Sequence, residues 1–308
     1  MFDSTNIRFP NIGIEFSDLG TGISFFGFRI AYYGIVIAAA MICGYLIVSW
    51  LAKRTKQNPD TYLDFALWAV VVSVICARLY YVVFAWDEFK DAPLSILNFR
   101  TGGLAIYGGV LGAIATTIVY CKVKKLSFSL MADTAVIGLL LGQVIGRWGN
   151  FFNREAFGKY TNNFFAMQID LRNVSSDYTV SLQTLAQRYA NAPKAYENIV
   201  EIRNNSVMID GATYIQVHPT FLYESLWNLC LMILLLLYTK HKKFNGEIFL
   251  LYLAGYGLGR VWIEGLRTDQ LFLWGTPIAV SQALAGIMFV VATACIIIQR
   301  VRLIKKSV

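Results

Sequence analysis

Seven ionisable side chains interrupt the long apolar stretches of this 308-residue chain: Asp64, Arg78, Asp133, Arg147, Glu224, Arg260 and Glu264. Charge in hydrocarbon costs about 2.5 to 3.5 kcal/mol on insertion scales, so each calls for a partner or a task. Arg147 and Arg260 close two copies of one pattern, G-x-x-x-G-R, at Gly142 to Arg147 and Gly255 to Arg260. Glycines at that spacing let a neighbouring helix approach closely. A pair of guanidinium forks at similar depth suits a phosphodiester, because arginine binds phosphate oxygens bidentately and stays charged. The plainer alternative is that both arginines end helices, snorkel to the interface and complement the macrodipole. Arg260, Glu264 and Arg267 fall at i, i+4 and i+7, on one helical stripe. Such a ladder can hold one guanidinium rigid while its neighbour meets substrate; as an intrahelical pair alone it is worth about 0.2 to 0.5 kcal/mol.

Two further segments concentrate candidate chemistry. From Thr101, the run Gly102-Gly103-Leu104-Ala105-Ile106-Tyr107-Gly108-Gly109, with Gly112 soon after, holds more glycine than one packing contact needs. Glycine allows a backbone to approach a ligand or a second helix. Tyr107, and Tyr33 near the start of the first apolar block, are either interfacial belt aromatics or site residues. The run Gly146-Arg147-Trp148-Gly149-Asn150-Phe151-Phe152-Asn153-Arg154-Glu155-Ala156-Phe157-Gly158 sets two Arg, two Asn and a Glu at the boundary of an apolar block. Asn150 and Asn153 can cap a helix C-terminus. Their charged neighbours make capping an incomplete account, so the segment reads as a site.

The elements that must position these residues follow from composition. With 56% hydrophobic and 15% charged residues, the chain is far more apolar than a soluble domain. Its apolar blocks are long enough to cross a hydrocarbon core of roughly 30 Å as helices. We expect an all-α integral membrane protein with seven transmembrane helices near 29–51, 62–86, 103–121, 130–148, 219–239, 247–265 and 277–299. Thirteen of the 27 Lys and Arg fall in four clusters: Lys53, Arg54 and Lys56; Lys122, Lys124 and Lys125; Lys240, Lys242 and Lys243; Arg300, Arg302, Lys305 and Lys306. They occupy alternate loops and the tail, so the positive-inside rule puts the N-terminus outside and the C-terminus in the cytoplasm. The expected domains are an extracytoplasmic segment 1–28, helices one to four over 29–148, a small mixed extracytoplasmic head over 149–217, helices five to seven over 218–299 and a cytoplasmic tail 300–308. Val207 to Val217 hints at β structure around the turn dipeptide Asp210-Gly211. In this frame Arg78, Arg147, Glu224, Arg260 and Glu264 converge on the outer leaflet, and Asp64 and Asp133 lie near the inner one.

Composition also excludes classes. The net charge of +8 is dispersed over loops, without the basic face that a nucleic-acid partner requires. The five cysteines, Cys43, Cys76, Cys121, Cys230 and Cys295, form no C-x-x-C and read as small buried hydrophobes. With His218 and His241 the only histidines, no transition-metal site and no other cofactor is expected. Residues 1–26 lack the basic n-region and short apolar core of a cleavable signal.

The stretch Gly146 to Gly158 resembles the signature G-R-x-G-N-F-x-N-x-E-x-x-G of the bacterial prolipoprotein diacylglyceryl transferases at every fixed position. Three other segments agree in order and spacing: Gly102 to Gly109, the H-P-T-F-L-Y-E block at His218 to Glu224, and R-x-x-x-E-x-x-R at Arg260 to Arg267. The resemblance implies transfer of sn-1,2-diacylglycerol from phosphatidylglycerol to the lipobox cysteine in a prolipoprotein signal peptide, in a bacterial cytoplasmic membrane. By position it makes Arg147, Arg260, Glu264, Tyr107 and Glu155 candidate catalytic residues. The substrate-binding candidates are Arg147, Asn150, Asn153, Tyr33, Tyr223, Gly102, Gly103, Gly108, Gly109 and Arg267. Some members have His where this chain has Tyr107; a phenol, with a pKa near 10, is a poor base at neutral pH, so Tyr107 is assigned to hydrogen bonding or positioning. A rival class is a transporter or flippase of an anionic lipid. It would place its site near the midplane between inverted repeats, and neither a chain-wide repeat nor a midplane charge pair is evident.

Overall fold

The computed structural model describes residues 7–98, 102–190, 192–272, 276 and 278–307. Met1 to Asn6 of the N-terminal segment and Thr101 of the glycine-rich block lie outside the described residues. The chain is mostly helical, with α1 (Tyr32–Arg54), α2 (Pro59–Phe84), α3 (Ile106–Val123), α4 (Phe128–Asn153), two short helices α5 (Leu182–Arg188) and α6 (Pro193–Asn204), then α7 (Thr220–Tyr238), α8 (Glu247–Glu264) and α9 (Val280–Ser307). Among the described residues six helices, α1 to α4, α7 and α9, are long and apolar enough to cross a membrane, making this a multi-pass membrane protein. Helix α8 has 18 residues but carries Glu247, Arg260 and Glu264, and that charge sets it apart from the six.

Helix ends differ from the apolar blocks that suggested them. Helix α3 begins at Ile106 rather than at 103, because Gly102 and Gly103 adopt φ of +83° and +72°, a left-handed backbone that a helix excludes. Helix α4 continues to Asn153, five residues past the expected end, and stops where Arg154 turns to φ +54°. Helix α9 runs on through the basic residues to Ser307, so the expected tail is helical over 300–307. Hydrocarbon thickness limits the apolar run, whereas backbone geometry limits the helix.

The chain forms two compact units, residues 1–44, 139–243 and 250–308 in the first and 45–138 and 244–249 in the second. In the first, the strands β1 (Ile7–Phe9), β2 (Ile14–Phe16), β5 (Met167–Asp170), β6 (Val207–Ile209) and β7 (Ala212–Val217) make an antiparallel sheet in the order β2-β1-β5-β7-β6, while β3 (Gly22–Phe25) pairs with β4 (Phe28–Ala31). The hairpin at Asp210-Gly211 turns through φ of +50° and +79°, both central residues left-handed, as two-residue hairpins favour. The N-terminal segment is not separate from the 149–217 region: Ile7 pairs with Ile169 across β1 and β5. Ile7, Ile169, Leu185, Ile202, Ile215 and Val217 are completely buried in the shared core.

The second unit shows how charge is held inside apolar helices. Arg78, 3% exposed, donates Nε to Ile96 O at 2.9 Å, Nη1 to Gly102 O and Gly103 O at 2.7 and 3.1 Å, and Nη2 to Ser95 O and Asn98 O at 2.9 and 3.1 Å. All five guanidinium N–H groups thus serve carbonyls of the loop between α2 and α3. A Cβ on Gly103 would lie 2.5 Å from Arg78 Nη1, and one on Gly108 2.4 Å from Tyr80 Cβ. Close packing therefore accounts for one glycine of each doublet. Asp64 accepts from Tyr120 Oη at 2.9 Å and pairs with Lys124 at 3.2 Å. Asp133, 3% exposed, accepts from the backbone N–H groups of Gly246 and Phe249 at 2.8 and 3.0 Å, serving the start of α8, where a carboxylate meets unpaired N–H groups and the positive end of the dipole. Asp133→Ala is expected to destabilise the protein by about 1 to 2 kcal/mol, the usual cost of a lost cap. A thermal melt in detergent whose midpoint does not fall would refute this role.

Candidate active site

Close helix contacts bring the site together. A Cβ on Gly259 would lie 2.1 Å from Trp227 Nε1, and one on Gly255 2.5 Å from Leu231 Cδ1. Trp227 Nε1 also donates to Gly255 O at 2.9 Å. The second G-x-x-x-G-R copy is therefore a tight seam between α7 and α8, while Gly142 and Gly146 make only ordinary contacts with Ala40 and Ile37 of α1. Ser225 on α7 donates to Val144 O on α4 at 2.9 Å. Those contacts aim Glu224 of α7 at arginines on both flanking helices.

Glu224, 3% exposed, is the centre. Arg147 Nη2 lies 2.6 Å from its Oε2, Arg260 Nη1 2.7 Å from its Oε1, and Arg267 Nη1 3.7 Å from Oε1. Arg260 Nη2 reaches Glu264 Oε2 at 2.7 Å, and Arg267 Nη2 reaches Asp269 at 2.6 Å. Ser281 donates to Glu264 Oε1 at 2.6 Å. Three guanidinium groups thus alternate with three carboxylates, so the cluster's side-chain charges cancel. The cluster offers ion-paired guanidinium groups rather than a net positive field. The fork of Arg260 is occupied on both tips; Nε and Nη1 of Arg147 have no protein partner among the described residues. Glu224 was visible in the sequence as a buried charge in the H-P-T-F-L-Y-E block, but no site role was assigned to it. Its signal was a carboxylate near the start of an otherwise apolar helix.

The segment after α4 is shaped by two left-handed non-glycine residues, Arg154 at φ +54° and Ala156 at φ +56°. Asn150 and Asn153 each donate to Glu155 Oε1 at 3.1 Å, and the Glu155 N–H returns to Asn150 O at 3.1 Å. The two amides therefore orient an exposed carboxylate rather than cap the helix. Gly158 N–H donates to His218 O at 2.9 Å, His218 N–H to Lys159 O at 3.0 Å, and Lys159 N–H to Leu266 O at 2.8 Å. A Cβ at 158 would fall 2.8 Å from both His218 Cβ and Leu266 O. That crossing ties together the end of α4, the start of α7 and the end of α8, which fixes Arg267 beside Glu224. Tyr223 Oη lies 3.1 Å from Asn163 Nδ2 and 3.2 Å from His218 Nδ1. Tyr33 packs on Gly149, where a Cβ would come within 2.7 Å of its ring.

The structure thus brings Arg147, Arg260, Glu264 and Arg267 into one ion-pair network, and Asn150, Asn153 and Glu155 into one hydrogen-bonded group. Gly102, Gly103, Tyr107, Gly108 and Gly109 belong to the second unit, where Tyr107 is 42% exposed in the first turn of α3. Among the described residues no group of His, Cys, Asp and Glu could hold a metal ion.

Two outcomes follow. Glu224→Gln removes the charge that three arginines share, and breaking a buried pair this way costs about 3 to 5 kcal/mol; a melting midpoint unchanged from wild type would overturn the central role of Glu224. Burial, aided by the charge of Lys159, holds the His218 imidazole below its usual value. The unfolded chain, with a value near 6.5, then takes up the proton first, so stability present above that pH is lost as pH falls below about 6.5. A His218→Gln protein should show a shallower loss of melting temperature over that range; an identical slope would refute the assignment.

A family model described as prolipoprotein diacylglyceryl transferase matches residues 21–298. Among the relatives, a phosphatidylglycerol–prolipoprotein diacylglyceryl transferase of Bacillus cytotoxicus is 41% identical over 261 residues, covering 83% of this chain and 84% of the relative. One from Clostridioides difficile is 39% identical over 254 residues, covering 82% and 85%, and one from Listeria monocytogenes 37% identical over 269 residues, covering 87% and 85%. With that coverage, and with the signature segment folded against the arginine network, this chain belongs to the prolipoprotein diacylglyceryl transferase family.

Proposed function

We propose that the chain transfers the sn-1,2-diacylglyceryl group of phosphatidylglycerol to the lipobox cysteine thiol of a prolipoprotein, forming a thioether and releasing glycerol phosphate. The observation that carries this reading is the convergence of Arg147 and Arg260 on the two oxygens of buried Glu224, with two donors of Arg147 left over for a ligand. An anion placed against Arg147 meets N–H groups already fixed in direction. Such donors stabilise developing charge without reorganising during the reaction.

In this scheme the thiol, with a pKa near 8.5, releases its proton to solvent and acts as its thiolate. Its sulfur attacks the glyceryl carbon, a C–S bond forms, the C–O bond to phosphate breaks, and the electron pair stays on the departing phosphate oxygen. Arg147 receives that oxygen. Arg260, braced between Glu224 and Glu264, keeps the network in register and shares the new charge, and Arg267 is held by Asp269. Asn150, Asn153 and Glu155 shape the polar edge of the headgroup site, with Tyr33 and Tyr223 beside it. Tyr107 positions substrate by hydrogen bonding, and Gly102, Gly103, Gly108 and Gly109 keep the second unit's backbone free of side chains. An apolar cleft of about 190 Å³, lined by Phe9, Trp148, Phe151 and Phe221 among others, suits an acyl chain.

Helix α8 would be the seventh span, the four basic clusters would face the cytoplasm of a bacterium, and the sheet would form an extracytoplasmic head. A flippase of anionic lipid would use the same arginines but leave its lipid intact.

The test is a lipobox peptide incubated with purified protein and defined lipids. A mass increase for a thioether-linked diacylglyceryl group, dependent on phosphatidylglycerol, is expected; unmodified peptide under all conditions would refute the transferase. Arg260→Lys, whose single ammonium cannot span both carboxylates, is expected to lower glycerol phosphate release at least about a hundredfold, the scale of one lost preorganised donor. Retention of most of the turnover would defeat the two-arginine scheme.

A further inference from the structure

A second cleft lies on the head side of the signature segment, with a volume of about 300 Å³. Arg154, Glu155, Asn173, Asp177 and Asp269 are among the residues that line it. Arg154 is 4% exposed and is held by Phe152 O at 2.7 Å and by Leu19 O. It makes no ion pair among the described residues, and its Nε, itself buried, has no hydrogen-bond partner. A buried guanidinium with an unused donor costs stability unless something accepts from it.

The rest of the lining decides what could accept. Glu155, Asp177 and Asp269 bring three carboxylates to the same cleft, which disfavours a phosphate and leaves a neutral oxygen acceptor. The strained φ values at Arg154 and Ala156 hold the wall of that cleft in an irregular path. One end of the cleft joins the reaction network, since Asp269 pairs with Arg267, which in turn lies beside Glu224. Of these, Arg154 and Glu155 sit just beyond the end of α4, Asp269 beyond the end of α8, and Asn173 and Asp177 on the polar segment 173–177.

We propose that this cleft is a polypeptide subsite in which Arg154 Nε donates to a backbone carbonyl of the substrate segment that follows the acceptor cysteine. This rests on the transferase reading and names the part of the protein substrate held outside the lipid phase. A signal peptide has an apolar core followed by its cleavage region. With the thiol at the arginine network, the polar chain beyond it is the portion that reaches a head-side cleft.

The test uses the full-length purified enzyme in phosphatidylglycerol micelles with two lipobox peptides, one amidated at the cysteine and one extended by several polar residues. The wild type should favour the extended peptide by about tenfold in KM, the scale of one hydrogen bond to a charged donor. Arg154→Lys and Asn173→Trp should abolish that preference while the KM for phosphatidylglycerol and the kcat on the short peptide stay within about twofold. Asn173→Trp fills the cleft and leaves the bonds of Arg154 in place, so it decides the matter if Arg154→Lys fails to fold. Equal KM for both peptides with the wild type, or a preference untouched in Asn173→Trp, overturns the subsite; a changed KM for phosphatidylglycerol assigns the cleft to lipid instead and overturns it as well. Absence of any adduct with the wild type would defeat the transferase reading itself.

Discussion

A carboxylate in an apolar helix bundle has to be neutralised, and in this protein one carboxylate is asked to neutralise three arginines. Glu224 meets Arg147, Arg260 and Arg267 within 4 Å, and its burial weakens the screening of those contacts by solvent. In such a setting the Coulomb attraction is large, but so is the cost of removing each charge from water. The balance closes because Glu264 and Asp269 supply the remaining negative charge. Everything else near the site can be understood as a means of keeping those six groups in place. The glycine seam of α7 and α8 sets one distance, the Ser225 bond to α4 another, and the backbone crossing at Gly158, His218 and Leu266 the third.

That neutrality changes how an anion would be bound. A cluster of uncompensated arginines would attract any anion from afar and would repel itself when empty. A neutral lattice of alternating charges avoids the second problem, and it presents a ligand with direction more than with net charge. The free Nε and Nη1 of Arg147 then matter more than the number of arginines. Preorganisation of this kind is most valuable where charge appears late, on a leaving oxygen.

The second unit shows that a buried charge is not by itself a mark of function. Arg78 and Asp133 are buried and Asp64 is half-exposed, yet each is matched by groups whose roles are architectural: loop carbonyls for Arg78, the amides that begin α8 for Asp133, and a tyrosine with a lysine for Asp64. What separates Arg147 from Arg78 is the donor inventory. One has N–H groups to spare and the other has none.

The order of the six long apolar helices, and the segments in which glycine and charged residues cluster, were legible in the sequence alone. Hydrophobic length and charge are summed along the chain and need no third dimension, and a signature as dense as Gly146 to Gly158 is local. The two asparagines and the glutamate within that signature were likewise singled out in the sequence, although not as a hydrogen-bonded group. Only the tertiary structure decided that Ile7 to Phe9 joins a sheet with residues from beyond the fourth helix, that Arg78 serves a loop, and that Glu224 rather than any arginine is the hub. Strand pairing and charge pairing are contacts between residues far apart in the chain. They depend on distances fixed by packing, and packing is not written in the order of the residues.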